Sequence, residues 1–316
     1  MRLGWLAGCS EPEVRSALRA AMPGLTVEQL SIRPRIPQPD PRYWSASATV
    51  DDRLVVKFAW SHVRAVRLHR EGLLLGRLAA RAPALRLPRL VALHADPVVL
   101  VTEQLAGEPL SGDAGRDLLG PRLPDVACEL ADLLVTLHGL PAAEVLHGLP
   151  EVTPTAQSDT AVLRARYGGL VDDRRAALVG RWCDWVDGVL GGPGPEDVLV
   201  HGDLHGHNQL WDLATGALVA VLDLEECGAR DPHFDLRYLP GTWSSNELLL
   251  AVVAAYRQRS GTALSLERIM AWHVLTALGD ALWRTEAGVE LPGGGDARTS
   301  VDDVRDRFDD LRMPAA

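Results

Sequence analysis

The residues able to do chemistry are concentrated between positions 201 and 235, in "HGDLHGHN" and "VLDLE". A carboxylate and an amide oxygen suit a hard cation such as Mg²⁺, which takes oxygen ligands at about 2.1 Å. Asn208 and Asp223 are the candidate pair. The strand-like runs "NQLWD" and "ALVAVLDL" flank "LATG", a turn sequence, and together read as a hairpin. Centred on Thr215 and Gly216, that hairpin would set Asn208 opposite Asp223, with Cβ atoms roughly 4.5–5.5 Å apart. One ion could then be shared, with sites left for phosphate oxygens and water. Asp203 falls on the loop feeding the hairpin, free to face whatever lies in front of the metal.

A second signal lies far upstream. Of the 32 lysine and arginine residues only Lys57 is a lysine, in "DRLVVKFAWSHVRAVRLHREG". Strand alternation puts Val55, Lys57 and Ala59 on one face. Glu71 falls in the helix that follows, where a carboxylate can pair with the ammonium.

These residues need a scaffold, and the chain patterns one. Residues 1–24 read as a short helical lead. The strand-like runs "QLSIR", "YWSASATV", "RLVVKFA", "RLVAL" and "PVVLVTE" follow, with a helix opened by Ser61 as N-cap between the third and fourth. At "TEQLAGEPLSGDAG" turn residues suggest a hinge near 103–108. Beyond it the chain is mostly helical around the 201–235 segment. The expected fold is α+β and two-lobed: an N-terminal lobe over 1–105, with a small antiparallel sheet and one helix, and a mostly helical C-terminal lobe over 106–316.

In this order and spacing, "HGDLHGHN", "VLDLE" and "GARDPHFDL" resemble the HxDxxxxN loop, metal-binding Asp and GxxDPxxDL segment of the aminoglycoside phosphotransferase family. These are small-molecule kinases of protein-kinase-like fold. "VVKF", "HREGLLLGRL" and "LADLLVTLHGLP" extend the likeness more loosely over nearly the whole chain. The resemblance implies that Asp203 accepts or orients the substrate hydroxyl proton, that Asn208 and Asp223 bind Mg²⁺, and that Lys57 binds the α/β-phosphates of ATP (or GTP), oriented by Glu71. A compact three-donor ammonium suits that place better than a planar guanidinium. It implies further nucleotide contacts from Val55 over the adenine and from Glu103 and Leu105 at the hinge, forming an N-terminal nucleotide-binding lobe. The implied reaction is phosphorylation of a small-molecule hydroxyl, first an aminoglycoside or related antibiotic, second a macrolide, choline-like amine or sugar.

The pattern departs from protein kinases. No glycine occurs between Gly24 and Gly72, so Ser45, Ala46 and Ser47 would cover the phosphates in place of a Gly-rich loop. The metal Asp is followed by Leu-Glu. "GDLHG" also resembles metallophosphoesterases, whose DxH and GNH[DE] partners are missing, and a non-catalytic kinase-like module would not need the intact set above. A P-loop needs a lysine after its glycine, and the only lysine is elsewhere.

A formal charge of −10 disfavours nucleic acid and anionic membranes as partners. It suits a cationic substrate, and Glu225, Glu226, Asp280 and Glu286 are the candidate ammonium partners. Four scattered cysteines read as reduced thiols of a cytoplasmic protein, monomer or homodimer. "LAGC", ending at Cys9, follows too short an apolar run for a signal segment.

Overall fold

A computed structural model describes residues 3–8, 10–33, 45–110, 112–152, 159–242, 245–291 and 294–313. Cys9 and the start of "YWSASATV" lie outside them, and so does the Ser45 side chain. Helix α1 (Glu11–Ala21) precedes strands β1 (Leu30–Ile32), β2 (Ser45–Val50) and β3 (Leu54–Ala59). Helix α2 (His62–Arg81) and strands β4 (Leu90–Ala95) and β5 (Val98–Glu103) follow. The five strands form one antiparallel sheet in the order β1-β2-β3-β5-β4.

Alternation along β3 decides what each face does. Val56 and Phe58 are buried against Val14, Ala17 and Leu18 of α1, which covers the outer face of the sheet. Lys57 and Val55 point the other way, opposed across β2 by Ser47 and Thr49. Ser61 caps α2, its hydroxyl accepting from Arg64 N at 3.3 Å. Gly72 brings that helix tight against the sheet, since a Cβ there would stand 2.7 Å from Leu93 Cδ1.

Residues 104–107 have no regular structure and lead into strand β6 (Glu108–Pro109) and helices α3 (Gly112–His138), α4 (Ala142–Leu146), α5 (Thr160–Tyr167) and α6 (Asp173–Gly191). Then come β7 (Val198–Val200), β8 (Gln209–Asp212), β9 (Ala217–Val221) and β10 (Gly228–Arg230). Helices α7 (Leu239–Thr242), α8 (Glu247–Ser260), α9 (Leu266–Ala287) and α10 (Ala297–Asp310) complete the described chain. The result is the α+β, two-lobed arrangement expected. A continuous core runs from Leu74 of α2 and Leu100 of β5 to Leu130 of α3, Trp211 of β8 and Val252 of α8. The lobes therefore share buried apolar surface. A second core joins α5, α6, α9 and α10, where Trp182 stacks on Phe308 at 5.7 Å between ring centres.

Candidate active site

The loop after β7 is held from behind. Asp235, 1% exposed, accepts from the amides of His201 and Gly202 at 2.8 Å each, and its Oδ2 lies 3.3 Å from His138 Nε2. Burial opposes ionisation of this carboxyl, but the interactions with His138, His201 and Gly202 outweigh it and hold its pKa low. The His201 ring braces the loop from inside: Nδ1 accepts from Asp203 N at 3.2 Å and Nε2 donates to Leu222 O at 2.9 Å. Burial depresses its pKa, so the ring is neutral, as one donor and one acceptor nitrogen require. Gly202 has φ +86°, and a Cβ there would lie 2.2 Å from the carbonyl oxygen of Glu226, so only glycine fits.

Held this way, Asp203 sits at the front of the loop. Its Oδ1 accepts from the Tyr238 hydroxyl at 2.7 Å, and Arg237 lies behind, donating to Gly202 O at 2.7 Å. Asn208 Nδ2 donates to Asp203 O at 2.8 Å and to Asp203 Oδ2 at 3.3 Å. With its nitrogen spent on Asp203, Asn208 has Oδ1 as the atom able to meet a metal.

The hairpin forms, but with a shorter register than the sequence suggested. Gly216 N closes a four-residue turn onto Asp212 O at 2.7 Å, and Gln209 faces Val221. Asn208 is therefore opposite Leu222, whose amide donates to Asn208 O at 2.8 Å. Asp223 lies one residue past the expected pairing, and its left-handed backbone, φ 64° and ψ 74°, turns it out of the strand. Asp203, Asn208 and Asp223 are still brought together, because Leu222 is bonded to both Asn208 and the His201 ring.

Lys57 meets this centre from the other lobe. Its Nζ lies 2.8 and 3.1 Å from the two oxygens of Glu71 and 3.5 Å from Asp223 Oδ1. Burial alone would depress the ammonium, but the carboxylates of Asp223, Glu71 and Glu225 outweigh it and raise its pKa. Asp223 shifts the opposite way: burial would raise it, and Lys57 and Arg64 lower it, so it is ionised. Its side chain keeps 39% exposure toward the cleft. Glu71, Asp223 and Glu225 have carboxylate oxygens within 4.8 Å of one another. Glu71 is spent on Lys57 and Glu225 on Arg64, which leaves Asp223 as the member of that trio able to take a cation. An ionised Asp223, next in the chain to the Leu222 that pairs with Asn208, supplies with the Asn208 amide oxygen the hard oxygen donors that suit Mg²⁺.

The remaining expectations divide. Ser47 shares the Lys57 face of the sheet, and Val55 lies on it too. Glu103 spends its carboxylate on Arg89, which holds its pKa low, and Leu105 is half-buried in the 104–107 connection. Glu225 and Glu226 do not form a cation-attracting rim. Glu225 is 5% exposed, its carboxyl pushed by burial up to about 7 against the Arg64 guanidinium, and Glu226 pairs with Arg67. Asp280 pairs with Arg284 at 2.8 Å and Glu286 with Arg166 at 2.5 Å, so neither is an unneutralised acid, although Asp280 lies close enough to Tyr238 to help raise its pKa. Sequence reasoning missed Tyr238 and the α2 arginines. "RYL" directly follows "GARDPHFDL", and that closeness to Asp235 was the available signal for Tyr238.

The profile of the phosphotransferase enzyme family matches residues 40–273. The chain belongs to that family. Among relatives, the viomycin phosphotransferase of Streptomyces vinaceus is 30% identical over 203 residues, 62% of this chain and 67% of its own. The GDP complex of wild-type aminoglycoside 2'-phosphotransferase-IIIa has a TM-score of 0.67 at 14% identity, covering 94% of this chain and 98% of that one. Macrolide 2'-phosphotransferase type I has a TM-score of 0.61 at 20% identity, covering 98% and 100%. A streptomycin-ATP-APH(2")-IIa ternary complex gives 0.59 at 15%, covering 98% of each. At such identities the structural likeness speaks to the fold. Family membership makes this protein a phosphotransferase with an alcohol group as acceptor. Among the described residues no helix is long and apolar enough to cross a membrane.

Proposed function

We propose that this phosphotransferase moves the γ-phosphoryl group of ATP to a hydroxyl of an amine-bearing antibiotic. The observation that carries the reading is the convergence of Lys57 and Glu71 from the N-terminal lobe with Asp203, Asn208 and Asp223 from the C-terminal lobe. Lys57 offers its ammonium to the α/β-phosphates, and Glu71 keeps that side chain aimed. Asn208 Oδ1 and Asp223 would hold Mg²⁺, which when bound neutralises charge on the phosphate oxygens. Asp203 orients the acceptor hydroxyl and takes its proton as the oxygen bonds to the γ-phosphorus and ADP leaves. Phosphoryl transfer asks chiefly for this positioning and charge neutralisation.

The acceptor class rests on three supports. The viomycin phosphotransferase relative acts on an antibiotic, kanamycin and streptomycin occur in complexes of the same fold, and this chain carries a net charge of −10. The test is ADP production from Mg-ATP, and in parallel Mg-GTP, with viomycin, kanamycin, streptomycin and a macrolide as acceptors. Acceptor-dependent turnover that disappears in Asp203→Ala, with Mg-ATP binding retained, is the expected result. Undiminished turnover in that variant would remove Asp203 from its role, and phosphate release from simple esters without nucleotide would favour a phosphoesterase.

A further inference from the structure

Residues 224–227, directly behind Asp223, are met one by one by a single face of α2. The Leu224 amide donates to Glu71 Oε1 at 3.4 Å. Glu225 takes a two-pronged pair from Arg64, 2.5 Å in each prong. Glu226 pairs with Arg67, and the Cys227 carbonyl accepts from Arg70 Nη2 at 2.6 Å. Positions 64, 67, 70 and 71 recur at helical spacing, so one turn-to-turn stripe carries all four contacts. Arg67, Arg70 and Glu71 are 7%, 5% and 2% exposed. These are interior contacts joining residues 153 to 161 positions apart in the chain.

The two ends of this ladder are the two halves of the site. Glu71, which aims Lys57, is itself a rung, and Asp223 stands at the head of the strip that the rungs hold. The strip also touches the catalytic loop, since the Glu226 carbonyl occupies the space where any Gly202 side chain would go. A shift of α2 away from the strip would therefore break the rungs and displace the groups around both Asp223 and Asp203 together. Buried ion pairs add little net stability but strongly penalise the loss of one partner, which makes them devices for fixing geometry.

We infer that Arg64 and Arg67 are positioning residues for phosphoryl transfer. Through Glu225 and Glu226 they hold α2 against the strip behind Asp223, so the Lys57–Glu71 pair is assembled before nucleotide arrives. The inference rests on the nucleotide-binding reading above. It is tested with Arg67→Met, Glu226→Gln, their double variant and Arg67→Lys, using N-methylanthraniloyl-ATP with Mg²⁺ as probe and thermal melting to verify folding. Arg67→Met should weaken probe binding by about 5- to 50-fold. Adding Glu226→Gln to it should cost less than Glu226→Gln alone, because the Arg67 pair is already broken and the 3.7 Å contact with Arg230 is what it still removes, and Arg67→Lys should recover most of the affinity. If Arg67→Met does not fold, Glu226→Gln and Arg67→Lys carry the same comparison. Failure of the wild type to bind the probe would sink the nucleotide reading. Wild-type binding together with unaltered affinity in folded Arg67→Met, or strictly additive single effects, overturns this inference alone.

Discussion

Replacing Asp235 tests how far the catalytic loop depends on one buried carboxylate. It accepts two amide hydrogens at 2.8 Å, from His201 and Gly202, and lies 3.3 Å from His138 Nε2. A hydrogen bond to a charged group is worth about 1.5–3 kcal/mol, so Asp235→Ala should lose roughly 3–6 kcal/mol, leaving two buried amides without an acceptor. That is a large share of the 5–15 kcal/mol typical of a folded domain. Asp235→Asn is the milder probe, because its amide oxygen can serve one amide while its NH₂ faces the other, for a loss of about 2–4 kcal/mol. Urea unfolding should show a lower midpoint with unchanged slope. Turnover should fall further than the folded fraction does, because the residue after Gly202 is Asp203. Since the folded-state pKa of Asp235 is depressed, its contribution is fully present above the ordinary carboxylate value of about 3.9 and is lost as pH falls through the folded value. An Asn variant within about 0.5 kcal/mol of wild type, with wild-type turnover, would refute the reasoning.

Lys57→Arg should not rescue function. The ammonium sits 2.8 Å from Glu71 and 3.5 Å from Asp223, a placement that suits a compact three-donor group and that the larger planar guanidinium cannot reproduce. A rate loss on the order of 100-fold is expected in steady-state assays with Mg-ATP, and near-wild-type turnover would contradict it. Acid should remove a stabilising contribution from His273. Burial holds His273 neutral, its pKa lowered to about 4, whereas an unfolded imidazole sits near 6.5. The unfolded state then binds the extra proton, so the contribution of His273 falls as pH drops from about 6.5 toward 4, by about 2 kcal/mol at pH 5, against the opposite change from Glu225. Urea unfolding of wild type and His273→Gln at pH 7.5 and 5 measures this: the stability gap between the two should shift against wild type by about 2 kcal/mol at pH 5, and an unchanged gap would contradict it.

The elements of the N-terminal lobe were legible because each carries a local signal: alternation in "RLVVKFA", a serine cap before α2, turn residues after Glu103. The core of the site was legible for a different reason, since Asp203, Asn208 and Asp223 stand in a motif whose spacing is tied to one loop and one hairpin. The hairpin register was not. A four-residue turn, an irregularity between Leu210 and Trp211, and a 3-10 turn at Gly206–Asn208 shift the pairing, and none of these has a composition signature. The acidic residues assigned to substrate show a second limit. Glu225, Glu226, Asp280 and Glu286 look unpaired in one dimension, but each meets an arginine in the fold, and for the first two that arginine is 159 or more positions away.

Helix α1 touches none of the catalytic groups, yet it governs which way the only lysine points. The strand that holds Lys57 buries Val56 and Phe58 on one face, against Val14, Ala17 and Leu18, and leaves Val55 and Lys57 half-buried on the other. A slip of one residue in the pairing of β3 would turn Phe58 into the cleft and drive the ammonium into that apolar contact. The cost of burying an unpaired charge there rules the slipped state out. The fit of three apolar side chains on a remote helix thus acts as a parity check on the strand, admitting one of two possible facings for the phosphate-binding lysine.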